Sequence, residues 1–382
     1  MNVEIIDSSE GLERVEEEWL DLFTRSDEHY IHQDPRLLRA FFVSERGRSH
    51  PLVVLLRDGG RLVCIAPFFT WKGAFQFAAS VVTLAKIPAR MLKLTCERMV
   101  YDREVDKRRC TIEAMHAVKA YRDRYDYMVL PELTLPSNVL DVLDEVEWTA
   151  LELRGKRDSS YRHNLLFETH DEFLSSLSRK RRKNIRYDTR DWRDSPFTRV
   201  TKEEQVDGFL DAVAAISEHS WQGKTLDSWT DRRHESYRGY LKAFANLGWL
   251  RCYLLENDAK EPMAFIMGFQ GYGTLHYEEI GFDGRHRDSA PGIAATHLMM
   301  EDLYAENRPR TIDFGYGDNR YKEVIANEVL ETRPLHLLDR RRWRAAFATQ
   351  RGIDQLTEHA RRLAAEHGVE DRLRDFLKRG EL

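Results

Sequence analysis

The 382-residue chain has no unbroken apolar run of about twenty residues, the length a membrane-spanning helix needs. Its most apolar stretch, residues 75–94, is interrupted by Lys86, Pro88 and Arg90 and reads as core strand and loop. The opening MNVEIIDSSE is acidic where a signal peptide carries positive charge, so a cytoplasmic protein is expected. Only four cysteines occur, Cys64, Cys96, Cys110 and Cys252, far apart and with no CxxC. That spacing fits a reducing compartment and argues against a thiolate zinc site. The fourteen histidines are scattered without HExxH or another ligand spacing, so no metal is expected. An excess of one charge is missing too. Lys+Arg 59 against Asp+Glu 64 leaves −5, which argues against bulk nucleic-acid binding but leaves room for local basic patches.

Apolar residues make up 42% of the chain and aromatics 11%, enough for buried cores, and the length suits two domains. Residues 3–6 read as a short strand, and Ser8-Ser9 caps an amphipathic helix through Leu22 and Phe23. Another helix follows Asp34-Pro35, with Leu37, Leu38, Phe41 and Phe42 at helical spacing. Residues 51–69 form a hairpin of two apolar runs joined at Asp58-Gly59-Gly60. A helix over 108–123, a buried strand over 125–133, a short helix over 135–146 and a strand over 148–154 follow. The polar GKRDSSYRHN (155–164) reads as a junction. Beyond it, 171–193 reads as one long helix with a basic middle, then a short strand and helices over 203–220 and 231–247. A second hairpin covers 249–270 and turns at Asn257-Asp258. A strand over 330–339 and a charged helix over 340–380, broken near Gly368, close the chain. Both halves share one order: helix, helix, strand, turn, strand, further strand, helix, strand. That order predicts a duplicated α/β domain. The boundaries expected are 1–160, 161–340 and a helical extension at 341–382.

The stretch around Leu275–Lys322 concentrates the chemistry. It reads as strand TLHYEEIGFD, basic loop GRHRDSAPG, helix IAATHLMMEDLYAENR, strand TIDFGYG and the turn DNRYKE. Pro291 suits a first helical turn, and Gly292 lets backbone come close to a ligand. A helix N-terminus with free N–H groups attracts anions. Arg287, Ser289 and Gly292 therefore read as a pyrophosphate holder, with an ordinary strand-to-helix turn as the alternative.

Alternation puts His276 and Glu278 on one strand face and Tyr277 and Glu279 on the other. These carboxylates and the histidine are candidates for a general base that deprotonates an acceptor, or else residues of a solvated sheet end. Asp313, inside a buried strand, needs a partner: it could orient a catalytic amine or hold a nearby arginine. RKRRKNIR (179–186) carries six cations in eight residues. Arg179, Arg182 and Arg186 share a helix face, which is either a cradle for phosphates or a solvated surface. In HSWQGKTLDSW (219–229), Trp221 could stack on a sugar or simply pack a helix end.

The strand order around SAPG (289–292), with LSRKRRKNIRY (177–187), EPMAFIMGFQ (261–270) and DFGYGDNRYK (313–322), resembles the BioF2-like or CelD-like acetyltransferase domain. That domain belongs to the GNAT (acyl-CoA N-acyltransferase) superfamily and is related to the FemAB aminoacyltransferases. The resemblance covers roughly 160–340, and the first half looks like the degenerate N-terminal copy common in such proteins. It implies tandem GNAT folds, α/β with a mixed sheet in αβα layers, and acyl transfer, acetyl foremost, from an acyl-CoA to an amine or hydroxyl of a sugar or cell-envelope precursor. No metal or covalent intermediate is implied. It implies donor-binding roles for Arg287, Ser289, Gly292 and Ile293, catalytic roles for Glu278, Lys322 and Asp313, and substrate contacts for Arg182, Arg186, Trp221, Tyr277 and Tyr321. Simple GNAT enzymes carry a glycine run in the pyrophosphate loop, where this chain has Gly292 alone. Aminoacyl-tRNA as donor, or a non-catalytic binding protein, therefore remain open alternatives.

Overall fold

The computed structural model describes residues 1–45, 47–79, 82–152, 159–220, 231–317, 320–338 and 341–366. They form two units, Met1–Asp158 with Glu331–Leu382, and Ser159–Leu330.

The first unit opens with β1 (Asn2–Ile6), α1 (Ser9–Arg14), α2 (Glu16–Arg25) and α3 (Pro35–Ser44). The caps are those the sequence signals: Ser8 accepts the Gly11 N–H and Asp34 the Arg36 N–H. Then come β2 (Ser49–Asp58), β3 (Arg61–Ala79), β4 (Val82–Leu94), β5 (Val100–Tyr101), α4 (Lys107–Ala120), β6 (Tyr127–Thr134), α5 (Asn138–Asp141) and β7 (Thr149–Glu152). The chain returns here with β14 (Glu328–Leu338) and α12 (Arg341–Glu366). The sheet runs β1-β2-β3-β4-β6-β14, with β5 on β3 and β7 on β14. Among the described residues of this unit, only β4 and β6 pair in parallel, joined by α4. Leu52 to Leu56 are buried without alternation, because β2 lies covered on both faces. Trp343 and Phe347 of α12 pack on Phe75 and Tyr127.

Residues 75–94 correct the reading of core and loop: apart from 80–81, which lie outside the described residues, they are strand. Lys86, Pro88 and Arg90 sit exposed within β4. Pairing of β4 with β6 begins at Met91, so Pro88 has a neighbour on one side only, and an edge tolerates its missing N–H.

The second unit holds β8 (Ser159–Asn164), α6 (His170–Ser176), α7 (Arg179–Arg190), β9 (Phe197–Val200), α8 (Val206–His219) and α9 (Asp231–Asn246). It continues with β10 (Cys252–Glu256), β11 (Pro262–Gly271), β12 (Thr274–Phe282), α10 (Pro291–Ala305), β13 (Thr311–Tyr316) and α11 (Arg320–Ile325). Its strands lie in the order β8-β13-β12-β11-β10-β9, with β12 and β13 parallel and joined by α10. Each unit thus repeats an antiparallel meander, a crossover helix and a parallel strand, a mixed-sheet α/β fold in tandem. Helix α10 is buried on several sides, against β11, β12 and α7, which accounts for its lack of a polar stripe.

Three expectations change. The long helix at 171–193 is two helices, because Leu177 is extended (ψ 154°) and the Ser178 hydroxyl restarts the chain by accepting the Arg181 N–H. The polar segment read as a junction ends in strand β8, which takes its partners from β13. The turn read over DNRYKE is, from Arg320 to Ile325, a short helix.

Candidate active site

Strands β12 and β13 share only three pairs, Thr274 with Thr311, Leu275 with Ile312, and His276 with Asp313. Beyond Asp313 the register of β13 against β8 shifts, and Gly315 takes a φ of +66° that a side chain would resist. The Asp313 carboxylate accepts the Gly315 N–H at 2.9 Å and lies 3.5 Å from Arg162 Nε. On the other side, Met267 pairs with Glu279 but Gly268 with Tyr277, so Glu278 is the extra residue of a β-bulge. The strands part, and a cavity of about 570 Å³ opens beyond the last pair, lined by Tyr277, Glu278, Ile280 and Phe282 on one side and Phe314 on the other.

The N-terminus of α10 forms another wall. Asp283 is buried, accepts the Arg285 N–H and grips the Arg285 guanidinium, which holds its carboxyl below the usual range. A Cβ on Gly284 would stand 2.6 Å from the His219 carbonyl, so only glycine lets this loop lie against α8. Trp192 Nε1 donates to the Ser289 carbonyl at 2.7 Å and pins the loop's end. Ala290 then turns left-handed (φ 51°) and α10 starts without a side-chain cap. Pro291 has no N–H, and Ala294 makes the first intrahelical bond, to Ala290, so the Gly292 and Ile293 N–H groups have no acceptor within the helix. Arg287, Gly292 and Ile293 line the cavity. A Cβ on Gly292 would come within 3.2 Å of Phe282, so a ligand reaches the backbone here because a side chain is missing. Two free N–H groups, a guanidinium and apolar walls suit a diphosphate attached to an apolar arm.

Lys322 is 6% exposed, lines the cavity and donates to the Tyr316 carbonyl at 2.6 Å. Tyr277 Oη lies 3.2 Å from Thr296 Oγ1, whose proton goes to the Gly292 carbonyl at 3.0 Å. Because Thr296 has one proton, Tyr277 must be the donor to it. Burial raises the Tyr277 phenol far above its ordinary range, so it stays neutral. Burial raises that of Tyr321, also on the cavity, in the same direction.

The profile of the acetyltransferase (GNAT) domain matches residues 179–323, which contain every wall just described except the final residue, Ile325. The chain carries a GNAT acetyltransferase domain. The second unit is thereby an acyltransferase domain. No curated protein matches by sequence. Among solved structures, FemX aligns with TM-score 0.60 at 12% identity, covering 88% of this chain and 97% of that one. A tandem GNAT protein from the clavulanic acid biosynthesis pathway aligns with TM-score 0.52 at 13%, covering 88% and 98%. L-PGS from Bacillus licheniformis aligns with TM-score 0.50 at 10%, covering 88% and 96%. At these identities the likeness is one of fold, and it spans both units.

Within the GNAT domain, the structure gathers Tyr277, Glu278, Arg287, Gly292, Ile293, Tyr321 and Lys322 on one cavity. Others among the sequence candidates lie elsewhere. Asp313 is not among the described lining residues; it braces the bend of β13. The Ser289 hydroxyl donates to the His286 carbonyl at 2.9 Å. Arg182 caps α6, donating to the Ser175 and Leu177 carbonyls at 3.0 and 2.6 Å, and with Arg186 it borders a separate small pocket. Trp221 lies outside the described residues. Sequence reasoning missed Thr296, Phe314, Ile325 and Ser220 as cavity residues. Thr296 had a signal, four positions after Gly292 on the same helix stripe. The face assignment of the carboxylates also changes. The bulge breaks the alternation, so Glu278 and Glu279 both reach the cavity.

Proposed function

We propose that the second unit transfers an acyl group, acetyl foremost, from an acyl-CoA to an amine or hydroxyl of a glycan or cell-envelope precursor. The observation that carries this reading is the uncapped N-terminus of α10, opening onto the cavity where β12 and β13 part. An acyl-CoA brings a diphosphate, a long arm and a thioester, and the walls offer N–H donors, Arg287 and apolar side chains in turn. In the transfer, a C–S bond breaks and a C–N or C–O bond forms. The acceptor loses a proton, and the departing thiolate regains one. In this reading Glu278, exposed on the bulge and on the cavity, takes the acceptor's proton directly or through a water. Lys322, buried beside the Tyr316 carbonyl, supplies positive charge where negative charge develops.

A second reading keeps the chemistry and changes the donor. Arg179, Lys180, Arg181 and Lys183 of α7 are exposed and do not line the cavity, a cationic band suited to the acceptor end of an aminoacyl-tRNA. Calorimetry with acetyl-CoA, longer acyl-CoAs and free CoA, beside transfer assays with charged tRNA, separates the two. Micromolar CoA binding with thiol release on adding acceptor is the expected result. No CoA binding together with tRNA-dependent transfer would replace the first reading by the second.

A further inference from the structure

On α10, Ile293 lines the acyl-transfer cavity, but His297 and Glu301, one and two turns further along the same stripe, border a separate pocket. Helices α6 and α7 close it. Its volume of about 40 Å³ suits roughly three waters or one tetrahedral oxyanion. His170, Arg182, Arg186 and Arg193 converge on it from the other elements. Three guanidinium groups against the single carboxylate of Glu301 leave the pocket with an excess of two positive charges while both imidazoles are neutral.

We propose that this pocket binds a phosphate group. Arg182 is held rigidly, because its Nη1 caps α6, so its charge has a fixed place in the wall. Arg186 is exposed and makes no described ion pair, which leaves its donors for a ligand. Arg193 stands 3.9 Å from Glu301, too far for a hydrogen bond and near enough to restrain that carboxylate. The deciding residue is His297. It is 8% exposed, lines the pocket and makes no hydrogen bond given among the described residues. An oxyanion in the pocket supplies an acceptor and takes donors from Arg186 and Arg193 at the same time.

Protonation couples to this site. Burial lowers His297 to about 4, and His170 adds to the effect. Burial likewise lowers His170, with Arg193 pushing the same way and Glu301 and Asp171 opposing. The facing charges are thus His170 and Asp171 from α6, Arg182 and Arg186 from α7, Arg193 after it, and Glu301 on α10. A bound anion favours both imidazolium forms, so the His297 titration moves up when the site fills.

The phosphate could be free or carried by a ligand whose body lies in the neighbouring cavity, since His297 is only about 6 Å along the helix from Ile293. Calorimetry with inorganic phosphate and with sulfate, at fixed ionic strength against chloride, tests the site on the full chain. One binding event is expected, weakened roughly tenfold in Arg186→Gln and in Arg193→Gln, both at exposed positions that leave folding intact. Proton NMR of the histidines should show sulfate raising the His297 pKa. Heat no different from chloride, or affinity unchanged in both variants, would overturn the proposal. Competition by CoA but not by CoA lacking its 3′-phosphate would assign the phosphate to a ligand, and competition by neither would assign it to the free ion. Equal competition by both would place the bound phosphate at the N-terminus of α10 instead and overturn the pocket. Because inorganic phosphate is the primary probe, failure of the acyl-CoA reading leaves this test intact.

Discussion

Replacing Lys322 with methionine separates a structural lysine from one that acts on the reaction. Methionine keeps most of the apolar stem and removes the charge and the donor. The 2.6 Å bond to the Tyr316 carbonyl sets the minimum structural loss. A charged hydrogen bond is worth about 1.5–3 kcal/mol, but Tyr316 is half exposed, so water can replace the donor and about 1 kcal/mol is expected. A positive charge aimed at a developing oxyanion is worth more, roughly a hundred- to a thousandfold in kcat, or about 3–4 kcal/mol. The two effects have separate readouts. Urea unfolding should show the small loss, thiol-release kinetics should show kcat down at least about a hundredfold, and calorimetry should show CoA affinity within about tenfold of wild type. A kcat that falls only a few-fold in a folded variant would refute the role in the transition state. A loss confined to CoA affinity would make Lys322 a donor-binding residue and not a catalytic one.

Thr296→Val strips the acceptor from the buried Tyr277 phenol and should cost about 1–3 kcal/mol in urea unfolding. Adding Tyr277→Phe should recover most of that, and a fully additive double variant would contradict the relay. Glu97, where burial pushes the carboxyl from 4.5 up to about 7, should destabilise the protein as pH rises through that interval. The unfolded carboxyl ionises first, so this group's stability is complete below about 4.5 and lost by about 7. Glu97→Gln lacks the effect and should gain about 2–3 kcal/mol on wild type across that window, where a flat difference curve would sink the assignment. Arg251 is 4% exposed and bonds Tyr253 Oη, the Asp302 carboxylate and the Glu306 carbonyl at 2.8, 2.8 and 2.9 Å. Arg251→Met leaves Asp302 with the Tyr253 hydroxyl and Arg199 as its described partners and should lower unfolding stability by about 3 kcal/mol, and a loss below about 1 kcal/mol would show the network to be inert.

Periodicity made most elements legible, because each buries a face set by its own sequence. The hairpins, the crossover helices and the Asp34, Ser8 and Pro291 starts needed nothing beyond local rules. What escaped was decided by tertiary contact. Strand β8 (SSYRHN) has few apolar residues and is a strand because β13 takes its backbone bonds. The break at Leu177 depends on Ser178 competing for the helix start within a run that otherwise favours helix. In the site, Gly292, Ile293 and Lys322 were readable because backbone chemistry and motif order mark them. Cation density alone does not give direction: Arg182 turns back to cap α6, and with Arg186 it borders the small pocket and not the cavity. The Glu278 bulge was illegible for a related reason. A register shift is a property of two strands, and one strand's alternation cannot reveal it.

The duplicated topology gives a reason for the proposed anion site to belong to one unit. Helices α4 and α10 occupy the same place in their folds, each crossing between the two parallel strands of its sheet. At the start of α4, Asp106 caps the helix and its carboxylate accepts the Arg109 N–H at 3.0 Å. That oxygen uses a free donor and sets a negative charge on the positive end of the helix dipole. An incoming phosphate would have to displace it and would be repelled by it. At the start of α10, Ala290 brings no acceptor and Pro291 no donor, so the remaining N–H groups stay open to a ligand. The cap position is thus one difference between a helix end that stabilises its own fold and one that forgoes that stabilisation, about 1 kcal/mol. On this argument the first unit retains the architecture without the anion site, and Asp106→Ala alone would not restore one, because α4 has no glycine in its first turn to admit a ligand to the backbone.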